Sequence, residues 1–470
     1  MKKSIRIISL LMCVALCACL FSACGEKTVV SEQMVWVDGE SGESGGSTAE
    51  NTDSSGSGNT QSGTSQNQQG TQSDTGSSKK PAGANNKIDY SKYRGTTITF
   101  ATWSDPYQHE EADAVKKFTK ECGINVKVDV IPQKNYVQTL TSRVVSGKAP
   151  DVVHVNSTFP QILEVLDPID VMQLDMNNSI WDKNYIDKFR VNGKAYFVNT
   201  LNSFQREGVV CYYNKKIFKQ AGIKTPEQYY KEGKWTTDAM RTCLEELKEL
   251  GGDIIPGMFY SSMYTTAMGL QNFTYQNGKF TTIYDDSAKL NEYKEISRFF
   301  LQLNKDGLLS IQSEDFNNGK AGIAIAEAWG LKTKGRFSKL PAADMGFLPL
   351  PSYKGKTPGQ MTIPIGYGVG KGSKNAVQVG LFLTYFLDGN NYTTKCFKSA
   401  EAEKFFYGTV LNNKNVTIQW DNGVCAFNGK DTTEFDPQGD PAALSTFIDS
   451  KKNTVQSYAK KANDMLAKLK

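Results

Sequence analysis

The chain has 470 residues, of which 39% are hydrophobic, and its formal net charge is only +5 because 54 Lys and Arg residues face 49 Asp and Glu residues. A small charge spread over so long a chain excludes the concentrated basic surface that nucleic-acid binding requires. The length predicts two or three domains or lobes with large buried cores.

The N-terminal sequence predicts an export signal. Lys2, Lys3 and Arg6 precede an apolar run over residues 7–21, which is short for a membrane span but typical of a signal-peptide core. The run ends in FSACG at residues 21–25, which resembles a lipobox with Phe in place of the usual Leu. We therefore predict a signal peptide over residues 1–23 and lipidation at Cys24. LCAC at residues 16–19 is a weaker lipobox candidate, because it would leave four more apolar residues on the mature end. A further alternative is a plain signal peptide cleaved at the same small residues.

Residues 38–86 consist almost entirely of Ser, Gly, Thr, Gln, Asn and a few acidic residues. Such a composition cannot bury enough apolar surface to fold. Residues 24–94 are therefore predicted to be a disordered tether between the lipidated cysteine and the folded part.

The folded part opens with alternating strands and helices. Residues 97–101 are rich in β-forming residues, and residues 115–122 have the apolar spacing of a helix that ends at Gly123. A strand at 126–130, a helical stripe at 137–144 and a strand at 151–155 follow. This order predicts a parallel sheet with helices on its faces and a ligand site at the carboxyl ends of the strands.

The remainder mixes helices with short strands. Apolar periodicity predicts helices at about 236–250, 287–304 and 376–387, and a terminal helix whose apolar face runs from Val455 to Leu469. Catalytic motifs are missing from the sequence. The only histidines, His109 and His154, do not form an HExxH motif, no GxSxG is present, and the glycine-rich residues 366–373 fit neither nucleotide-binding template.

The cysteines that would remain after export and lipidation number five and are widely scattered, without CxxC spacing. This pattern argues against a disulfide framework and against a zinc site, so most are expected to be buried thiols. We predict no metal, no cofactor and no enzymatic activity, although composition alone does not exclude a glycosidase carboxylate pair.

Six separated segments together resemble the extracellular solute-binding protein family 1, the maltose-binding-protein-like receptors of ABC sugar importers. They are SGKAPDVV (146–153), NGKAYFV (192–198), YYNKKIFKQAGI (212–223), EGKWT (232–236), FNNGKAGI (316–323, followed by Trp329) and GFLPLP (346–351). One departure is Asn199, where the family usually has Pro. The resemblance covers about residues 97–390 and rests on the order and spacing of the segments.

The resemblance implies an α/β fold of two lobes joined by a hinge, each lobe a mainly parallel sheet flanked by helices. We expect residues 95–207 and about 366–412 in the N-terminal lobe, and residues 208–365 and about 413–470 in the C-terminal lobe. The chain would cross between lobes near 206–209 and near 362–366. Closure around a solute is expected to be a hinge motion.

Candidate ligand-binding residues are aromatic platforms and planar hydrogen-bonding groups, because sugars present apolar C–H faces ringed by hydroxyls. Trp103 and Asp105 follow the first strand, and Asn156 ends the third. Glu327 and Trp329 fall in the segment that supplies a stacking aromatic in the family, and Tyr367 lies beside the second crossover. Trp420 is a further candidate, whereas Arg206 is expected to be a solvated hinge charge.

The resulting hypothesis is a receptor that captures a mono- or oligosaccharide for an ABC importer and delivers it to the permease subunits. It would be a monomer held by its lipid on the outer face of the cytoplasmic membrane, in a Gram-positive-type envelope. The alternatives are a receptor for another solute, a surface adhesin or sensor with the same fold, and a polysaccharide-active enzyme.

Overall fold

The computed structural model describes residues 90–108, 111–200, 208–259, 261–310, 314–388, 397–410, 416–430 and 440–469. The predicted signal peptide, Cys24, most of the predicted tether and Arg206 lie outside these residues. All of the described residues belong to one compact unit, residues 45–470. None of the helices in the described part has the length and apolar character needed to cross a bilayer.

The strands of the described residues are β1 (Thr97–Thr102), β2 (Asn125–Val130), β3 (Val152–Asn156), β4 (Leu166–Asp167), β5 (Val209–Asn214), β6 (Ile255–Phe259), β7 (Phe273–Gln276), β8 (Lys279–Thr282), β9 (Leu309–Ser310), β10 (Ala321–Glu327), β11 (Met345–Leu348), β12 (Gln360–Thr362), β13 (Ile365–Gly370) and β14 (Val416–Ile418).

The α-helices are α1 (Ala112–Cys122), α2 (Tyr136–Val145), α3 (Lys183–Asp187), α4 (Lys215–Ala221), α5 (Pro226–Lys231), α6 (Thr237–Glu249), α7 (Ser261–Ala267), α8 (Ser287–Lys305), α9 (Glu314–Asn317), α10 (Ala376–Phe386), α11 (Ala400–Phe405), α12 (Asp421–Phe427), α13 (Leu444–Ser450) and α14 (Lys452–Leu466). Each helix predicted from apolar periodicity is confirmed to within a few residues.

The first sheet has the order β2-β1-β3-β13-β4. Strand β1 is parallel to β2 and to β3, as the sequence predicts, while β13 is antiparallel to β3 and β4. Residues of β1, α1 and α10 share one hydrophobic core with the buried residues of β13. The return of β13 and α10 to this core from far along the chain makes the first lobe discontinuous.

The second sheet has the order β11-β5-β10-β6-β9. Strand β10 is parallel to β6, and β6 to β9, whereas β5 runs antiparallel to β10 and β11. Helices α6, α7 and α8 cover one face of this sheet in a second core. The structure thus confirms the predicted α/β fold of two sheets flanked by helices. Each sheet is mixed where a mainly parallel one was expected, because two of its four strand pairings are antiparallel.

Local signals explain why the segment YYNKKIFKQAGI folds as it does. Five of the six residues of β5 are apolar or aromatic and all six are buried. Asn214 then caps α4, because its side chain accepts hydrogen bonds from the backbone N–H groups of Lys216 and Ile217. Gly222 ends the helix in the left-handed conformation, with a φ of 67°. The sequence of this segment therefore determines strand β5, the N-cap, helix α4 and the residue at which the helix ends.

One part of the expected lobe boundaries differs from the observed packing. Helix α10 and Leu387 lie in the first core, but Phe397, Phe406 and Val410 pack with Tyr212 and other residues of the second sheet. The expected N-terminal-lobe segment of about 366–412 therefore returns to the second sheet before Phe397. No motif marks this return in the sequence, because buried aromatic residues are equally compatible with either core.

A cluster of aromatic rings joins the two halves. Trp420 lies with ring centroids 5.4 Å from Phe159 and 5.3 Å from Phe189, two residues of the first half. The same indole lies 5.4 Å from Tyr275 and 5.9 Å from Phe280, which belong to the β7–β8 hairpin. The segment after residue 413, expected in the C-terminal lobe, therefore also packs on residues of the first lobe.

Candidate functional site

The carboxyl ends of strands in both sheets lie beside the segments that connect the lobes. Asn156, the last residue of β3, pairs with Ile365, where the chain enters the first sheet. Glu327, the last residue of β10, pairs with Val209, where the chain enters the second sheet. Each sheet thus directs the ends of its parallel strands toward a crossover, the place where α/β proteins bind ligands.

The loops that follow these strands meet. Lys334, after β10, donates a hydrogen bond from its Nζ to the backbone oxygen of Gln108, after β1, at 3.1 Å. Gln108 and Lys334 are both exposed. This contact joins the loops at the carboxyl edge of the first sheet (the first edge) and at the carboxyl edge of the second sheet (the second edge).

Trp103 lies on the first edge, partly exposed, in a stack of rings. Its indole stacks on the imidazole of His154 with centroids 3.7 Å apart, and meets the ring of Tyr136 edge to face at 5.8 Å. The Nδ1 of His154 lies 3.1 Å from the Oγ1 of Thr102. The Tyr136 hydroxyl donates to the backbone oxygen of Ala101 at 2.8 Å. These contacts hold the plane of the indole, and His154 is a supporting residue that sequence reasoning did not assign.

Tyr367 differs from its prediction as a solute contact, because its side chain is only 1% exposed. Its ring stacks on His154 at 4.4 Å and packs edge to face against Phe100 and Phe386 in the first core. It therefore supports the ring stack from within the lobe. The sequence could not reveal this, because a tyrosine beside a crossover can point to either face of its strand.

Asp105 and Asn156, the two polar candidates of the first edge, differ in exposure and in hydrogen bonding. Asp105 is partly exposed, and its Oδ1 accepts a hydrogen bond from the backbone N–H of Tyr107 at 2.9 Å, which shapes the turn after β1. Asn156 is 4% exposed, and its Oδ1 has no hydrogen-bond partner. A buried amide oxygen without a partner is uncommon in folded proteins.

Glu327 lies at the second edge and forms a buried ion pair. Its Oε2 lies 2.7 Å from the Nη1 of Arg336, and the two side chains are 8% and 17% exposed, respectively. Its backbone oxygen accepts a hydrogen bond from the Tyr212 hydroxyl at 2.7 Å. Sequence reasoning missed Arg336, because no helical or strand spacing links residues nine positions apart in a loop.

Trp329 follows Glu327 in a short helical turn, Ala328–Leu331, and is partly exposed. Gly335 allows this turn to fold tightly, because a Cβ there would overlap the backbone oxygen of Trp329. The two predicted residues of the second edge, Glu327 and Trp329, are thus brought together at the end of β10, whereas Trp103 and Asn156 lie on the first edge.

Trp420, the remaining predicted contact, is 4% exposed. Its ring lies within the aromatic cluster between the halves, and its backbone N–H donates to the Oε1 of Gln271 at 2.9 Å. The structure therefore places it in a core, which differs from the prediction. Its position in the sequence carried no periodic signal that could have separated the two roles.

Asp151, Trp235 and Asn214, which lie in the segments that carry the family resemblance, are all buried. Asp151 accepts hydrogen bonds from the backbone and hydroxyl of Thr99 at 2.8 and 2.9 Å. Four of the cysteines expected to be buried thiols, Cys122, Cys211, Cys243 and Cys425, are buried. In the part of the chain that the structure describes, no three His, Cys, Asp or Glu side chains converge as metal ligands do.

Comparison with known proteins agrees with this architecture. Residues 101–388 match the family model of the bacterial extracellular solute-binding proteins. A binding protein of Brucella abortus is 24% identical over 260 residues, and the multiple sugar-binding protein of Streptococcus mutans is 28% identical over 187 residues. These matches cover 51% and 35% of this chain, and 59% and 37% of the relatives, so the chain spans little more than half of the Brucella protein.

A similar solved structure is the galacto-N-biose/lacto-N-biose I-binding protein of an ABC transporter from Bifidobacterium longum, in complex with lacto-N-biose. It is 19% identical, with a TM-score of 0.56, over 77% of this chain and 98% of that chain. This likeness shows a shared two-lobe fold. Since the family model spans more than half of the chain, the protein is a member of the bacterial extracellular solute-binding protein family.

Proposed function

We propose that this protein captures a neutral carbohydrate in the cleft between its lobes and delivers it to the permease of an ABC importer. The observation that carries the proposal is the pair of partly exposed tryptophans, Trp103 and Trp329, on the facing carboxyl edges of the two sheets. Each is accompanied by planar hydrogen-bonding groups, Asp105 and Asn156 on one edge and Glu327 on the other.

The chemistry of these groups fits a sugar. An indole face packs on the apolar C–H face of a pyranose, while carboxylate and amide groups bond the hydroxyls around its edge. The buried charge of the second edge is already balanced, because Arg336 pairs with Glu327. A neutral solute therefore enters without leaving a buried charge uncompensated.

The names of the similar proteins support the same class of solute, since two of the three bind sugars. We extend the proposal to the envelope: the export signal delivers the chain outside the cell, and a lipid on Cys24 holds a monomer at the membrane beside its permease. The protein acts by binding and release and does not transform its solute.

The test is a thermal-shift screen of the exported chain from residue 24, carrying Cys24→Ser, against neutral sugars, polyols, sugar phosphates and amino acids. A ligand at a hundredfold excess over its Kd stabilises the native state by about 2.7 kcal/mol, which gives a readable rise in Tm. Incubation with the best ligand followed by chromatography should recover it unchanged. Recovery of a product would overturn the binding role.

Variants connect a positive ligand to the cleft. Trp329→Ala and Trp103→Ala should each weaken binding by roughly 30-fold or more, as removal of an aromatic anchor does, while Trp329→Phe should retain part of the affinity. Trp235→Phe is the matched control, because Trp235 is buried in the second core and its Nε1 donates a hydrogen bond to the backbone oxygen of Pro349. It should lower Tm and leave affinity unchanged. A ligand that both alanine variants bind normally would place the site elsewhere.

A further inference from the structure

The loop over residues 328–340 carries the exposed and charged groups of the second edge. Trp329 lies at its start, Lys334 contacts the loop of the first edge, and Arg336 belongs to the buried ion pair. The apolar side chains of the loop are at most 5% exposed and share a hydrophobic core with Phe397; they are Leu331, Phe337 and Leu340. The loop therefore packs on the segment that begins at Phe397.

Lys398 bonds this loop through both its backbone and its side chain. Its backbone N–H donates a hydrogen bond to the backbone oxygen of Leu331 at 3.1 Å. Its Nζ donates to the backbone oxygens of Phe337 and Leu340, the latter at 2.7 Å. A single residue from outside the loop thus holds it two residues after Trp329 and again at its end.

The ammonium group of Lys398 suits this position. It has three N–H donors and no acceptor, so it can bond two backbone oxygens at once, and hydrogen bonds from a charged donor are stronger than those between neutral groups. Burial lowers the pKa of the Lys398 side chain, because it disfavours the charged form. The two backbone oxygens oppose this effect, since they bond the charged form.

The segment that contains Lys398 comes from the other lobe. Leu387, just after α10, lies in the first core, whereas Phe397 lies in the core beside the second sheet. Lys398 follows at the start of the segment that has returned to the second lobe. Its hydrogen bonds therefore fasten the loop of the second edge to a chain segment that has just passed between the lobes.

We propose that Lys398 is a positioning residue for the solute site: it holds the loop over residues 328–340 in the arrangement in which Trp329 meets the solute. This inference rests on the proposed function and deepens it, because it names a residue that sets affinity without contacting the solute. Lys398 acts through the loop, and its removal frees the loop while the hydrophobic core beneath remains.

The first test requires no solute. Acrylamide quenching of Trp329 is measured in the exported chain as the difference between a protein and the same protein carrying Trp329→Phe. Lys398→Met keeps an unbranched side chain and removes the ammonium. We expect Trp329 to be quenched roughly twofold more efficiently in Lys398→Met, because a loop that loses its hydrogen bonds opens locally.

The second test measures affinity for the best sugar found in the thermal-shift screen. Lys398→Met should weaken binding roughly 5- to 20-fold, because only the molecules whose loop is in place bind. Lys398→Arg can still donate to the backbone oxygens, so it should bind more tightly than Lys398→Met. This partial rescue by a second cation separates the role of the ammonium from that of side-chain bulk.

Double variants locate the effect on the second edge. Lys398→Met combined with Trp329→Ala should lose little more affinity than Trp329→Ala alone, since both changes remove the same platform. Lys398→Met combined with Trp103→Ala should lose close to the product of the two single effects, because Trp103 lies on the other edge.

Lys248→Met is the matched control. The Nζ of Lys248 also donates to a backbone oxygen, that of Asp306 at 2.6 Å, just after α8. The substitution removes the same kind of contact from the second lobe without touching the loop. Quenching of Trp329 and affinity for the sugar should both equal those of the wild type.

The outcomes separate the two proposals. If Lys398→Met folds and matches the wild type in both quenching and affinity, the positioning role is overturned and the receptor function stands. Equal additivity with Trp329→Ala and with Trp103→Ala would also overturn it, since the loss would then be general. If Lys398→Met does not fold, Lys398→Gln, which retains N–H donors without the charge, is judged by the same measurements. If the wild type binds no solute, the proposed function fails, and the quenching measurement alone decides whether Lys398 holds the loop.

Discussion

The two facing edges of the cleft are built on one plan but differ in how their polar groups are satisfied. In each sheet a parallel strand ends beside an antiparallel strand that enters from a crossover, at Asn156 in the first lobe and at Glu327 in the second. At the second edge, the buried carboxylate of Glu327 forms an ion pair with Arg336. At the first edge, the buried side-chain oxygen of Asn156 has no hydrogen-bond partner. The two edges thus share a topology, while the hydrogen-bond partners of their buried polar groups differ from one lobe to the other.

The largest loss of stability is expected from removing one partner of the Glu327–Arg336 ion pair. Arg336→Ala leaves the carboxylate of Glu327 buried and uncompensated, and loss of one partner of a buried pair destabilises a protein by about 3–5 kcal/mol. Urea unfolding should report this loss. The double variant Arg336→Met with Glu327→Met removes both charges and should cost much less. If the unfolding free energy of Arg336→Ala differs from that of the wild type by less than about 1 kcal/mol, the pair does not stabilise the protein.

The next prediction concerns the close packing of Gly423 against the loop that follows Asn156. A Cβ on Gly423 would overlap the backbone oxygen of Phe159 and lie 2.9 Å from that of Ser157, in the loop that follows Asn156. Gly423→Ala should therefore destabilise the protein by about 1–3 kcal/mol and weaken solute binding by displacing this loop. Gly408→Ala is the control, because no atom lies within 4 Å of a Cβ there. Equal effects of the two substitutions would rule out this explanation.

Asp421, at the start of α12, gives a pH-dependent comparison. Burial raises its pKa from 3.8 to about 6, although hydrogen bonds from Asn272 and Phe273 oppose the rise. The folded protein thus keeps a proton that the unfolded chain releases, so this group stabilises the fold at low pH and loses that contribution as pH rises from about 4 to about 6.

The measurement is the unfolding free energy of the wild type and of Asp421→Asn across this range. Because the other carboxylates are shared, the difference between the two proteins isolates Asp421. The wild type should lose stability relative to the variant as pH rises from about 4 to about 6. Parallel curves over this interval would show that Asp421 does not titrate there.

The smallest effect is expected where the two edges touch. Lys334→Ala removes the hydrogen bond to Gln108 across the cleft, which is an exposed contact. We expect affinity for the best sugar to fall roughly two- to fivefold, because exposed charged contacts contribute about 0.2–1 kcal/mol. Lys374→Ala, an exposed lysine away from the cleft, should change nothing. An unaltered affinity in Lys334→Ala would mean that the contact does not favour the closed arrangement.

The sequence determined the elements whose signals are local. Alternation and helical periodicity gave β1, α1, β2, α2 and β3 in order, and Asn214 with Gly222 marked both ends of α4. End-of-strand position also brought Trp103 and Trp329 to the two edges. Each of these depends on residues within a few positions of one another, where backbone geometry fixes which side chains share a face.

Tertiary structure alone decided the rest. Tyr367 and Trp420 lie in cores, Phe397 packs against the second sheet, and Arg336 forms an ion pair with Glu327. The sequence did not predict these contacts, because their partners are distant in sequence or lie in irregular loops.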